Sequence, residues 1–126
     1  MGLSGCKVEP TIAVSDMAQA RRFYEGKLGL TGARDLPDGG VRYESGVGTS
    51  VHVYPSPKNA GRSPATIAHW DVADTEATVS ELIDDGVSFE HYDLPGLKTD
   101  ERGIATLGNV RVAWFKDPDG NILSVS

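Results

Sequence analysis

Polar and apolar positions alternate along residues 8–14, where Val8, Pro10, Ile12 and Val14 share one face and Glu9, Thr11 and Ala13 the other. That is the period-two pattern of a half-buried strand. Pro10 cannot donate to a ladder, which places the start of the strand at a sheet edge. The period then changes: Met17, Ala20, Tyr24 and Leu28 fall at helical spacing, with Arg21, Arg22 and Glu25 facing elsewhere. Asp16 supplies an N-cap, Gln19 three residues on completes a capping-box-like pair, and Gly29 ends the helix. Three strands are predicted next, at about 30–36, 41–45 and 49–54, separated by Pro37-Asp38-Gly39-Gly40 and Gly46-Val47-Gly48. Residues 55–64, proline-rich and poor in large apolar side chains, read as a linker.

The pattern then starts again. A strand is predicted at 66–72, Asp74 caps a helix carrying Val79, Leu82 and Ile83 on one side, and Gly86 terminates it. Val14-x-Asp16 recurs as Val72-x-Asp74, and Gly29-Leu30 recurs as Gly86-Val87 one residue short of the same period, which marks an internal repeat. Strands at about 87–92, 110–116 and 122–125 complete the second copy, with a longer loop, 93–109, inserted after the first of them. The last two are joined by Asp117-Pro118-Asp119-Gly120, whose residue types are those of a type I turn. If Lys116 and Asn121 pair across that turn, Phe115 falls beside Ile122 and Ala113 beside Ser124 on the open side, and Trp114 packs with Leu123 under a helix. The predicted fold is α+β: two βαβββ modules in one domain, about 7–56 and 65–126, with curved mixed sheets and helices on their outer faces. The opposite faces stay open, and two of them meeting form a cavity.

Composition adds little to the fold but narrows the function. The 126 residues suffice for one core without metal or disulfide staples. With 12 basic and 18 acidic residues the net charge is −6, which argues against a nucleic acid or an anionic membrane as partner. No apolar run approaches the roughly 18 residues of a membrane span. Cys6 is the single cysteine, so no intrachain disulfide is possible and a reducing cytoplasm is the expected compartment. Leu3-Ser4-Gly5-Cys6 looks like a lipoprotein cleavage box but lacks a basic and an apolar region before it, and Met1-Gly2 lacks the Ser or Thr that myristoylation needs where Cys6 stands.

Two stretches carry a resemblance. Ile12-Ala13-Val14-Ser15-Asp16-Met17 running into Arg22-Phe23-Tyr24-Glu25 and Leu28-Gly29-Leu30 is one, and Trp114-Phe115-Lys116-Asp117-Pro118-Asp119-Gly120-Asn121-Ile122 is the other. Together they resemble the vicinal oxygen chelate superfamily, which holds glyoxalase I, bleomycin-resistance proteins, fosfomycin-resistance transferases and extradiol dioxygenases. In metal-dependent members the ligands come from the first and last strands of each module, usually His or Gln first and Glu last. Carried over position by position, the resemblance puts Glu9 and Ile67 on the first strands, and His52 and Ser124 on the last. Ile67 cannot ligate and Ser124 stands where Glu is expected, so Glu9 and His52 are the remaining metal candidates. His69, two residues beyond Ile67 on the same face, is an alternative ligand or a cavity-wall residue. The resemblance also implies a homodimer with cavities at or near its interface.

The expected cavity lining is Glu9, Thr11, His52, Tyr54, His69, Phe115 and Ser124. Glu9 is the candidate catalytic base if a semi-apolar cup moves its pKa toward neutrality. Tyr54 and Phe115 would stack a planar ligand. The 93–109 loop reads either as a lid or as a solvated connection, and Cys6 has no His or basic residue at a catalytic spacing. The function expected is a small-molecule-binding protein similar to the bleomycin-resistance branch, sequestering or carrying a planar or amphipathic ligand without a cofactor. The alternative is a metal-dependent lyase or isomerase similar to glyoxalase I. A ligand-free structural dimer ranks third, because an open concave sheet would expose apolar surface.

Overall fold

The repeat is realised as two four-stranded sheets that share one core. The computed structural model describes residues 2–126; Met1, the first residue of the rejected myristoylation signal, lies outside them. In chain order the elements are β1 (Thr11–Val14), α1 (Met17–Arg21) continuing as a π-helical turn (Arg22–Lys27), β2 (Thr31–Asp35), β3 (Val41–Ser45), β4 (Thr49–Pro55), β5 (Thr66–Trp70), α2 (Thr75–Asp84), β6 (Asp93–Leu94), β7 (Leu97–Lys98), β8 (Ile104–Leu107), β9 (Val110–Lys116) and β10 (Ile122–Val125). The sheets are ordered β1-β4-β3-β2 and β5-β10-β9-β8, with β6 and β7 forming a separate hairpin. The β1–β4 and β5–β10 pairs are parallel and the others antiparallel. This is the α+β, two-module architecture read from the repeat.

Alternation decides which side chains enter the core. Ile12 and Val14 of β1, Val41 and Tyr43 of β3, and Val51 and Val53 of β4 are buried, while Thr11 and Glu44 between them are exposed. Both helices start at aspartate caps: Asp16 Oδ1 accepts the Gln19 N–H at 3.1 Å and Asp74 Oδ1 that of Ala77 at 3.0 Å. After Arg21 the first helix widens, and the Leu28 N–H reaches back five residues to the Phe23 carbonyl at 3.0 Å. Phe23 and Tyr24 are both buried in that turn, and the Phe23 ring lies 6.4 Å from Phe115 of the other module.

The turn between β9 and β10 forms with the expected chemistry, the Gly120 N–H donating to the Asp117 carbonyl at 3.0 Å. Its side chains reach much further. Asp117 Oδ2 accepts from the buried Tyr24 hydroxyl at 2.8 Å and from Asn121 Nδ2 at 2.8 Å, while Oδ1 accepts the backbone N–H groups of Asp119 and Asn121. Asn121 Nδ2 also donates to the Ala13 carbonyl of β1 at 2.8 Å, and Asn121 Oδ1 accepts the Gly61 N–H at 3.0 Å. Asp119 receives the Ser15 N–H and hydroxyl at 2.9 and 2.5 Å. Gly61, in the predicted linker, has φ +67°, and a Cβ there would come within 1.8 Å of the Asp119 carbonyl oxygen, so only glycine permits this approach. The linker is thereby docked onto the closing turn.

Four details depart from the sequence reading. First, residues 87–92 do not form a strand: Val87 and Phe89 are buried as their alternation implies, but pairing with β9 is limited to a bridge between Phe89 and Phe115 and a bond from the Glu90 N–H to the Trp114 carbonyl, while Tyr92 bonds Thr99 instead. The rest of that edge of β9 is taken by β8, which comes from within the predicted 93–109 loop. Second, Lys116 pairs with Ile122 and not with Asn121, because Asn121 is engaged by Asp117 and stays outside the ladder. This slip of one residue turns β9 over. Phe115, 1% exposed, therefore sits opposite Leu123 in the core, its ring 5.4 Å from Phe89, and its expected place on the open side is corrected. Third, Trp114 faces the other way, opposite Ser124, with the Tyr92 ring edge-on against it at 5.6 Å. Fourth, Ile83 is 41% exposed, and α2 buries Val79 and part of Leu82 instead.

Candidate functional site

β3 and β4 are joined over Gly46, Val47 and Gly48, with Ser45 opposite Thr49. Counting outward, Glu44 falls opposite Ser50 and Arg42 opposite His52. These four face away from the core because the intervening valines and Tyr43 occupy it. Glu9, just before β1, reaches the same face. Arg42 grips its carboxylate through Nη2 and Nε at 2.7 and 2.9 Å, and the Ser50 hydroxyl donates to it at 2.5 Å. The Arg42 bonds first, and then Ser50, hold the Glu9 carboxyl down at about 2. A carboxylate so engaged is a poor proton acceptor near neutral pH, which weighs against a role as base.

His52 Nε2 lies 2.8 Å from Asp38 Oδ2, and its ring is 5.4 Å from that of Tyr54. Asp38 is held below the usual carboxylate range first by the Gly40 N–H, at 2.8 Å, and then by His52. Thr11 is the parallel-ladder partner of His52 and is exposed. On the second sheet Ser124 adjoins His69, and its hydroxyl lies 2.6 Å from His69 Nδ1. His69 Nε2 is 2.9 Å from the Ser126 hydroxyl and 3.3 Å from Asp71, so both ring nitrogens have partners.

Two hollows adjoin the β3–β4 turn. One, of about 440 Å³, runs between the modules and is lined by Val8, Pro10, Ala68, His69 and Trp70. The other, of about 400 Å³, lies on the first module and is lined by Lys7, Arg34, Arg42 and Glu44. Both include Gly46, Thr49 and Ser50, so the turn is the ridge between them. A smaller hollow of about 270 Å³ continues past Lys7 and Arg42 to Glu9.

Of the residues expected to line a cavity, Glu9 borders the hollow of about 270 Å³ and His69 that of about 440 Å³. His52, Tyr54 and Thr11 share one face and lie further along β4 and β1. Ser124 sits behind His69, and Phe115 borders only a small apolar groove of about 180 Å³ beside Leu28, Trp70 and Leu82. Sequence reasoning missed Lys7, Arg34, Arg42, Ser50 and Trp70 as wall residues, and Asp38 as the partner of His52. Arg42 and Ser50 were within reach, since the Gly46-Val47-Gly48 turn sets the pairing that places them.

The donor set does not fit a chelated divalent ion. Glu9 and His52 are each committed to a different neighbour, and the matching positions of the second module hold Ile67 and a buried Ser124. Among the described residues no three His, Cys, Asp or Glu side chains gather where they could hold a metal, whereas open metal sites use about three protein ligands.

A model of the Glyoxalase/Bleomycin resistance protein/Dioxygenase superfamily matches residues 8–125. No curated protein matches the chain. Among solved structures, a glyoxalase/bleomycin resistance protein from Streptomyces sp. CB03234 aligns with TM-score 0.64 at 22% identity, covering 94% of this chain and 96% of that one. TnmS3, an antibiotic binding protein from the same organism, aligns with TM-score 0.64 at 22% identity, covering 94% and 91%. A glyoxalase/dioxygenase from Nostoc punctiforme aligns with TM-score 0.65 at 18% identity, covering 99% and 92%. At these identities the likeness speaks to the fold.

Proposed function

The chain belongs to the Glyoxalase/Bleomycin resistance protein/Dioxygenase superfamily, and from that premise we propose that it binds a small planar or amphipathic molecule in the hollows beside the β3–β4 turn, sequestering or carrying it without chemistry. The observation that carries this reading is a pair of adjoining hollows, one walled by Val8, Pro10 and Trp70 together with His69 and Asp71, the other by Lys7, Arg34, Arg42 and Glu44. The groups that a lyase or isomerase would use as ligands or base are meanwhile bonded to neighbours. TnmS3, with the same fold, is described as an antibiotic binding protein, which supports the same class of role here. The proposal includes a homodimer working in the cytoplasm: β2, exposed along its length, offers a free edge, and Cys6 is an exposed thiol.

Trp70 makes the test direct, since it walls the hollow and donates its indole N–H to Ser45 of the other module at 3.1 Å. Calorimetric titration with planar amphipathic molecules is expected to show saturable binding that Trp70→Ala weakens by about tenfold, the loss of one aromatic contact of roughly 1.5 kcal/mol. A stoichiometric divalent ion in protein purified without chelator, lost in His52→Ala, would overturn this reading in favour of the metal-dependent lyase or isomerase.

A further inference from the structure

Arg34 and Arg42 are direct partners in the β2–β3 ladder and line the same hollow. Like charges placed opposite each other across a strand pair are destabilising, and a sequence that breaks such a local rule does so where function asks for it. Arg42 is neutralised by Glu9. Arg34 is not: neither it nor Lys7 has an ion-pair partner among the described residues, and Glu44, on the same wall, approaches neither to ion-pairing distance. The hollow is thus walled by Lys7, Arg34, the Glu9-paired Arg42 and Glu44, so that with Glu9 counted three cations stand against two carboxylates, in a chain whose net charge is −6. Attraction by the whole molecule would favour a cationic ligand, but the local lining selects the opposite sign.

Resting on the binding reading above, the geometry points to an oxyanion seat: the hollow of about 400 Å³ receives a carboxylate, sulfonate or phosphate group of an amphipathic ligand, held by Arg34 and Arg42 with Lys7 at its rim. Glu9 fixes Arg42 through Nε and Nη2, and Nη1 makes no bond among the described residues, so a pre-positioned donor is available at little entropic cost. The neighbouring hollow, sharing Gly46, Thr49 and Ser50, would take the apolar body of the same molecule against Val8, Pro10 and Trp70.

A matched pair of fluorescent probes tests this. 1-Anilinonaphthalene-8-sulfonate and N-phenyl-1-naphthylamine have the same rings and differ by the sulfonate. The sulfonate is expected to bind the folded protein about tenfold more tightly, and Arg34→Gln to remove about that factor while leaving the neutral probe unchanged. Arg34→Lys should recover part of the loss, added salt should shrink it, and Lys58→Gln, a change of equal charge at a residue outside the lining of either hollow, should have no effect. Thermal melting of each variant establishes that it is folded. If both probes bind equally and Arg34→Gln alters neither, the oxyanion seat is refuted and the binding reading stands. If neither probe binds the native protein, both fall.

Discussion

Glu9 shows how little a residue's chemistry follows from its type. On the strand it looks like a free carboxylate; in the structure it is gripped from two sides, and the Arg42 and Ser50 bonds hold its pKa down at about 2, below the ordinary 4.5. A depressed carboxylate contributes stability that is present above the unfolded pKa and lost as pH falls through the folded one. Denaturant midpoints measured from pH 6 to pH 2 should therefore fall less steeply in Glu9→Gln than in the native protein, the difference developing between about pH 4.5 and 2. Parallel profiles would show that the Arg42 and Ser50 bonds do not persist in solution. The position of Glu9 on the open face was legible from alternation in 8–14. Its partners were not, because Arg42 and Ser50 come from two other strands and only the ladder brings them across.

Among the elements, β9 carries the clearest lesson. Val112, Ala113, Trp114 and Phe115 are consecutive and apolar, so both faces of the strand are covered and periodicity alone does not say which is which. The deciding fact is that Asn121 is withheld from pairing by Asp117, a property of side-chain bonding that residue counting across a turn misses. Phe115→Ala is expected to cost about 3–5 kcal/mol in equilibrium unfolding, and Trp114→Ala less than half of that, since Trp114 is half-buried against Tyr92. The reverse order would restore the other register. β8 was hidden for a different reason: Ile104-Ala105-Thr106-Leu107 is too short to show a period and lies in a stretch punctuated by glycine and charge. The helix starts, by contrast, were plain, because an aspartate ahead of an apolar stripe acts locally.

For the whole molecule, the two modules were readable because each repeats the same succession of strand, capped helix and glycine stop. The hollows were not. Their walls are assembled from the segment before β1, β2, β3, the β3–β4 turn and β5: strand pairing within the first module builds the hollow beside Arg34 and Arg42, and only the one beside Trp70 needs the second module. Light scattering is expected to give the mass of two 13.4 kDa chains at micromolar concentration, with the exposed β2 edge a natural place to look for the contact. A single-chain mass at every concentration would remove the dimer from the proposal.

The closing turn has a consequence for how the chain is made. Tyr24 and the Ala13 carbonyl belong to the first module, yet their partners, Asp117 and Asn121, lie about a hundred residues further along the chain and are made after the whole of that module. Until then the Tyr24 hydroxyl and the Ala13 carbonyl have only water to bond, and the apolar surface that the second module covers stays exposed. The first module is therefore expected to mature only with the last hairpin, which completes its first strand and helix. Residues 1–64 alone are expected to show no cooperative melting transition, and mixing them with residues 65–126 to restore one.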